Sequence, residues 1–117
     1  LRLVSADGKV SPPLEGVPRV YAQGQGGLLD VALDPNFASN RLVYLSFAEA
    51  GEGGASTAVA RGRLNEAATA LEGTEVIFRQ APKVSGGLHF GSRLAFSRDG
   101  KLFVTMGDRG KFDPAQD

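Results

Sequence analysis

Sixteen glycines divide this 117-residue chain into short apolar runs, and that spacing constrains the fold more than any other feature. Glycine and the six prolines punctuate the chain too often for long helices, and the runs between them alternate apolar with polar residues at the period of a strand. The pattern predicts an all-β chain of short strands and many turns.

The opening LRLVSADGKVS is expected to form two strand ends around an Asp7-Gly8 turn. The following SPPLEGVPRVYAQGQGG carries three prolines, each lacking a donor that a central strand needs, and is expected to be a surface connection. Two strands, Leu28 to Pro35 and Arg41 to Glu49, follow around an NFASN loop, with Val31, Leu33, Val43, Leu45 and Phe47 as packed side chains. A Gly-rich loop is expected from Ala50 to Ser56, then strands over Thr57–Leu64 and TEVIFRQ. NEAATALEG, the one helix-compatible stretch, reads as a turn, with Asn65 as a possible cap. SRLAFSRDGKLFVTMGD closes the pattern as a hairpin around Asp99-Gly100.

LLDVALDPNFASNRLVYLSFAE and SRLAFSRDGKLFVTMGD share one scheme of apolar strand, polar turn and Val/Phe-rich strand. Matching Ala32 with Ala95 sets the two 63 residues apart, somewhat above the roughly 40–50 of a propeller blade. The excess fits the Gly-rich insertion and the Ala-rich turn. The architecture this suggests is a β-propeller, of which the chain holds about two blades plus part of a first. A ring needs about four to eight, so residues 1 to 117 are expected to be a fragment of a single propeller domain.

Thirteen basic residues balance thirteen acidic ones, which argues against a nucleic-acid partner. The chain has no cysteine, and no apolar run reaches the roughly 18 residues of a membrane helix. In GQGGLLD the third glycine of a dinucleotide fingerprint is replaced by Leu29, and no Gly-Lys-Ser/Thr phosphate loop occurs. DRGKFDPAQD lacks the ligand spacing of an EF-hand, and no Gly-x-Ser-x-Gly elbow is present.

His89, the only histidine, stands in SGGLHFGS just before the first strand of the last hairpin. A lone histidine in a Gly-rich loop is often a surface or packing residue. The alternative is a functional one, because antiparallel pairing around Asp99-Gly100 brings the far ends of the two strands together, with His89 before one and Asp108 ending the other. A carboxylate there can accept from one imidazole nitrogen and leave the other free to take a proton. For Asp108 the plain alternative is a Gly-Asp turn residue.

GQGGLLDVALDPNF, LHFGSRLAFSRDGKLFVTMGDRG and the order between them resemble the soluble aldose sugar dehydrogenases that use pyrroloquinoline quinone (PQQ), the glucose/sorbosone dehydrogenase family. The similarity runs from about Leu14 to Gly110. It implies a six-bladed β-propeller in a periplasmic or secreted enzyme that oxidises the C1 hydroxyl of aldoses to lactones and passes electrons to an external acceptor. The family's general base falls on His89, the aspartate that orients it on Asp108, and a glutamine near cofactor and substrate on Gln25. Leu88 departs from members with an acidic or amide residue beside the histidine. The family's basic residues for the PQQ carboxylates, and its calcium ligands, are expected beyond Asp117, so no metal ligand is assigned in this chain. Two other readings stay open: a non-catalytic propeller used as a binding scaffold, and a metal-dependent lactonase. For the latter the few candidates, Asp30, Asp34 and Asp108, are better explained by turns.

Overall fold

A computed structural model describes residues 1–111 and 113. The strands in chain order are β1 (Leu28–Leu33), β2 (Leu42–Gly51), β3 (Gly54–Leu64), β4 (Leu71–Arg79), β5 (Arg93–Phe96) and β6 (Leu102–Thr105). Strands β1 to β4 form one antiparallel sheet in sequential order, and β5 and β6 pair in a second. Such a meander beside the first hairpin of the next sheet is the architecture of part of a β-propeller. At the N-terminus, Val4 and Val10 bridge across the expected Asp7-Gly8 turn.

Three local expectations are revised. The Gly-rich stretch after Ala50 is no loop: β2 and β3 pair up to Gly51 and Gly54, leaving only Glu52 and Gly53 as the turn. Gly53 takes φ +87°, the positive angle that lets a two-residue hairpin follow the twist of its strands. Strand β4 starts at Leu71 rather than Thr74, the register slipping between Arg61 and Arg63 opposite it. Within NFASN a single helical turn, Phe37–Asn40, forms where the Asp34 carboxylate accepts from the Asn36 N–H and the Asn40 amide. The Asn65 stretch is a turn, as expected, its side-chain oxygen accepting from the N–H groups of Thr69 and Ala70.

Strand β2 is buried without a break from Val43 to Ala48, and β3 from Ala55 to Ala60, because both faces of the sheet are covered. On one face Val43, Leu45, Leu64 and Leu71 pack with Leu14 and the opening segment. On the other, Tyr44 and Val59 pack with Leu94, Phe96, Leu102 and Val104 of the second sheet. Tyr44 meets Phe96 edge-on at 5.1 Å between ring centres.

The two sheets are also tied at their first strands. Asp30 lies within β1, not at a turn as expected for it, and its Oδ2 accepts from the Leu94 N–H of β5 at 2.8 Å. The Asp30 N–H donates to the buried Ser46 hydroxyl. This clamp fixes β5, and β5 carries the His89 loop at its N-terminal end.

Candidate active site

Strands β5 and β6 pair from Phe96↔Leu102 to Arg93↔Thr105, so their open ends coincide. The chain before β5 and the chain after β6 therefore run side by side. The Gly107 N–H donates to the Phe90 carbonyl, and the Arg109 N–H to the His89 carbonyl at 3.1 Å. This ladder brings the two predicted side chains together: His89 Nδ1 lies 2.8 Å from Asp108 Oδ1.

The same Asp108 oxygen accepts the Gly110 N–H at 2.8 Å. That backbone bond, and then the His89 ring, hold the Asp108 carboxyl below its ordinary pKa. At neutral pH it is a carboxylate and can only accept, so Nδ1 of His89 carries the shared proton. In the neutral ring Nε2 then keeps its lone pair, and the half-exposed imidazole presents it as a base.

Gln25 arrives from the connection before β1. Its backbone N–H donates to the Gly87 carbonyl at 2.6 Å, and its side-chain oxygen accepts the His89 backbone N–H at 3.0 Å. The preceding Gly24 permits this approach, since a Cβ there would lie 2.9 Å from the Gly87 Cα. Gly24, the first glycine of the failed nucleotide fingerprint, thus serves to bring two backbones into contact, while Gly26 leaves room for the turn from Tyr21 and for the Phe90 ring. All three sequence-predicted residues converge, Gln25 on the backbone of His89 and Asp108 on its ring.

Arg109 was not foreseen. It is 5% exposed, and its guanidinium lies 3.7 Å over the Phe90 ring, itself 1% exposed. Its Nη1 and Nη2 donate to the carbonyls of Leu88 and Gly86, while Nε has no partner among the described residues. Burial lowers its pKa, but from a value so high that the charge is kept at neutral pH. The available signal was an arginine one residue from the predicted orienter, a few residues after an apolar strand. His89 and Arg109 both take left-handed backbone angles, φ +52° and +56°, at a cost of about 1–2 kcal/mol each. The surrounding hydrogen bonds hold them there.

A hollow of about 1040 Å³ lies elsewhere, between the Gly16–Gln23 connection, β2 and β4. Its acidic residues are engaged in ion pairs, Glu49 with Arg79 and Lys83, and Glu75 with Arg61. It offers no oriented base, so the His89 cluster is the better candidate. No three His, Asp or Glu side chains converge as a metal site among the described residues. Asp34 and Asp108 are the turn residues expected of them, each accepting a backbone N–H two positions on.

The family model for glucose/sorbosone dehydrogenase matches residues 1–117. The chain is 48% identical over 118 residues to the aldose sugar dehydrogenase YliI of Escherichia coli (strain K12), covering all of this chain and 32% of that protein. A crystal structure of glucose dehydrogenase superposes with a TM-score of 0.95 at 55% identity, over 98% of this chain and 34% of that one. The PQQ-bound form of the aldose sugar dehydrogenase of Streptomyces coelicolor superposes with a TM-score of 0.82 at 32% identity, over 99% of this chain and 34% of that one. The chain thus spans about a third of the length of these relatives.

Proposed function

The chain belongs to the glucose/sorbosone dehydrogenase family, and on that premise we propose that it forms the proton-accepting part of a PQQ-dependent enzyme that oxidises the C1 hydroxyl of aldoses to lactones. The observation that carries this reading is the 2.8 Å contact between His89 Nδ1 and the Asp108 carboxylate on a half-exposed ring. A half-exposed imidazole whose Nδ1 is tied to a carboxylate is suited to proton transfer at Nε2, which favours the enzyme reading over a binding scaffold.

The residues fit the cofactor in the chemistry of their donors. The side-chain oxygen of Gln25 is committed to the His89 N–H, so its free end is the amide NH₂, a donor suited to an acceptor-rich anionic quinone. Gln25 would hold the cofactor beside His89. When bound, PQQ supplies the two-electron acceptor for the hydride that leaves C1. His89 Nε2 takes the C1 hydroxyl proton, and the Asp108 carboxylate balances the imidazolium that forms. Loss of that proton and of the C1 hydride turns the cyclic hemiacetal into a lactone. Calcium and an external electron acceptor complete the reading, with the metal ligands and the cationic residues for the PQQ carboxylates outside residues 1–117. A periplasmic or secreted location and a single propeller domain belong to the same proposal.

The test is dye-linked aldose oxidation by the full-length protein with and without added PQQ and calcium. Activity is expected only with both, and equal activity without them refutes the cofactor assignment. In the loaded protein His89→Ala should lose roughly 10²–10⁴-fold in turnover, the usual contribution of a positioned base.

A further inference from the structure

Five consecutive carbonyls in the loop that carries His89, from Gly86 to Phe90, each accept a hydrogen bond, and Arg109 supplies three of the donors. Its Nη2 reaches the Gly86 oxygen at 2.6 Å, its Nη1 the Leu88 oxygen at 2.5 Å, and its backbone N–H the His89 oxygen at 3.1 Å. The remaining two carbonyls are taken by the Gln25 N–H, on Gly87, and by the Gly107 N–H with the Thr57 hydroxyl, on Phe90. The loop has no strand or helix of its own between Ser85 and Ser92. Its shape is therefore set by these external donors.

We propose that Arg109 is a positioning residue for the reaction: it grips the backbone on both sides of His89 while being covalently joined to Asp108, and so fixes the imidazole and its carboxylate in one frame. The proposal rests on the reading of His89 as the base. Only a planar fork spans two carbonyls while lying flat on a ring, and a lysine ammonium in the same pocket reaches one of them at a time. The Phe90 ring stacks on the guanidinium at 3.7 Å, and burial of both side chains restricts the fork's movement. A misplacement of about 1 Å costs up to roughly 10²-fold in rate, so a frame built this way is read out in turnover.

The experiment uses the full-length protein loaded with PQQ and calcium, carrying Arg109→Ala, Arg109→Lys, His89→Ala and the double changes. Arg109→Ala should lower turnover by up to roughly 10²-fold with KM little changed, and Arg109→Lys by less. In the His89→Ala background neither change should cost anything further, since the group being positioned is gone. Full turnover in the single variants, or the same loss repeated without His89, overturns the proposal. If Arg109→Ala fails to fold, Arg109→Lys carries both arms. The ¹⁵N signals of the His89 ring, assigned by their absence in His89→Ala, test the positioning apart from the base reading. They should report an Nδ1-protonated tautomer in the unaltered protein and an averaged one in Arg109→Lys. Near-full turnover in His89→Ala would sink the base reading alone, while unchanged ring signals in Arg109→Lys would overturn the positioning.

Discussion

Replacing Gly107 by alanine should be among the most damaging single-methyl changes in this chain. A Cβ at position 107 would overlap the His89 carbonyl oxygen, lie 2.5 Å from its carbonyl carbon and 2.8 Å from the Gly91 nitrogen. All three atoms are backbone, so no side chain can turn aside, and the strand end must part from the His89 loop by about 1.5 Å to restore ordinary contact distances. Two bonds cross that seam next to the clash, Gly107 N–H to Phe90 O at 3.0 Å and Arg109 N–H to His89 O at 3.1 Å. Losing both costs about 1–3 kcal/mol at the usual net value of a backbone hydrogen bond. The same displacement separates His89 from Asp108, so turnover should fall by up to roughly 10²-fold. Thermal melts and steady-state kinetics on the loaded full-length protein measure the two effects side by side. Unaltered Tm and turnover in Gly107→Ala would refute the account, because the seam could then open without consequence.

Two further outcomes are expected. The Asp108 carboxyl should titrate below an ordinary aspartate, about 3.9, because the Gly110 N–H and the His89 ring favour its charged form. For a depressed folded pKa the contribution is complete above the unfolded value and is lost as pH falls through the folded one, so the pair survives mild acidification; a carboxyl ¹³C titration with a midpoint at or above the ordinary value contradicts this. Residues 1 to 117 expressed alone should aggregate or melt without cooperativity, since Val31, Leu33 and Phe103 are 49%, 54% and 61% exposed on faces that neighbouring sheets of a ring would cover. Sedimentation with a thermal melt decides it, and a cooperative, monomeric transition well above room temperature would show the sheets to be self-sufficient.

Strand positions were legible because one chemical signal, apolar residues at a period of two between turn formers, dominates in β1, β5 and β6. In β2 and β3 the signal is blurred. Val43 to Ala48 and Ala55 to Ala60 are buried on both faces, so polar Ser46, Ser56 and Thr57 stand inside the protein, the last two on opposite faces of β3, and neither strand has a solvent side there for alternation to mark. A loop was expected after Ala50 because glycine signals both a flexible segment and a tight hairpin, and only the pairing of Gly51 with Gly54 distinguishes them. One signal was available and unused. Ser-x-Asp-Gly-Lys occurs at residues 5–9 and again at 97–101, and both copies fold alike: serine N–H to lysine carbonyl, glycine N–H back to serine carbonyl, lysine N–H to serine hydroxyl. A repeated hairpin chemistry marks the repeat more sharply than the apolar scheme does.

The candidate site divides along the same line. His89 and Asp108 could be paired from the sequence because a hairpin centred on Asp99-Gly100 forces its two open ends together, and antiparallel pairing does the rest. Gln25 was placed near the cofactor by resemblance, yet what it touches is the His89 backbone, a contact between segments 64 residues apart that no local period encodes. Arg109 was invisible for a different reason. Its partners are carbonyl groups, which every residue carries, so nothing in the side chains around it marks the attachment. The one chemical clue is Phe90, an aromatic ring beside a loop of small residues, buried at 1% exposure with the guanidinium stacked on it. A buried arginine beside an aromatic ring needs acceptors for its N–H groups. In a loop without secondary structure the unpaired carbonyls are the nearest supply, and the site's rigidity follows from meeting both needs with one side chain.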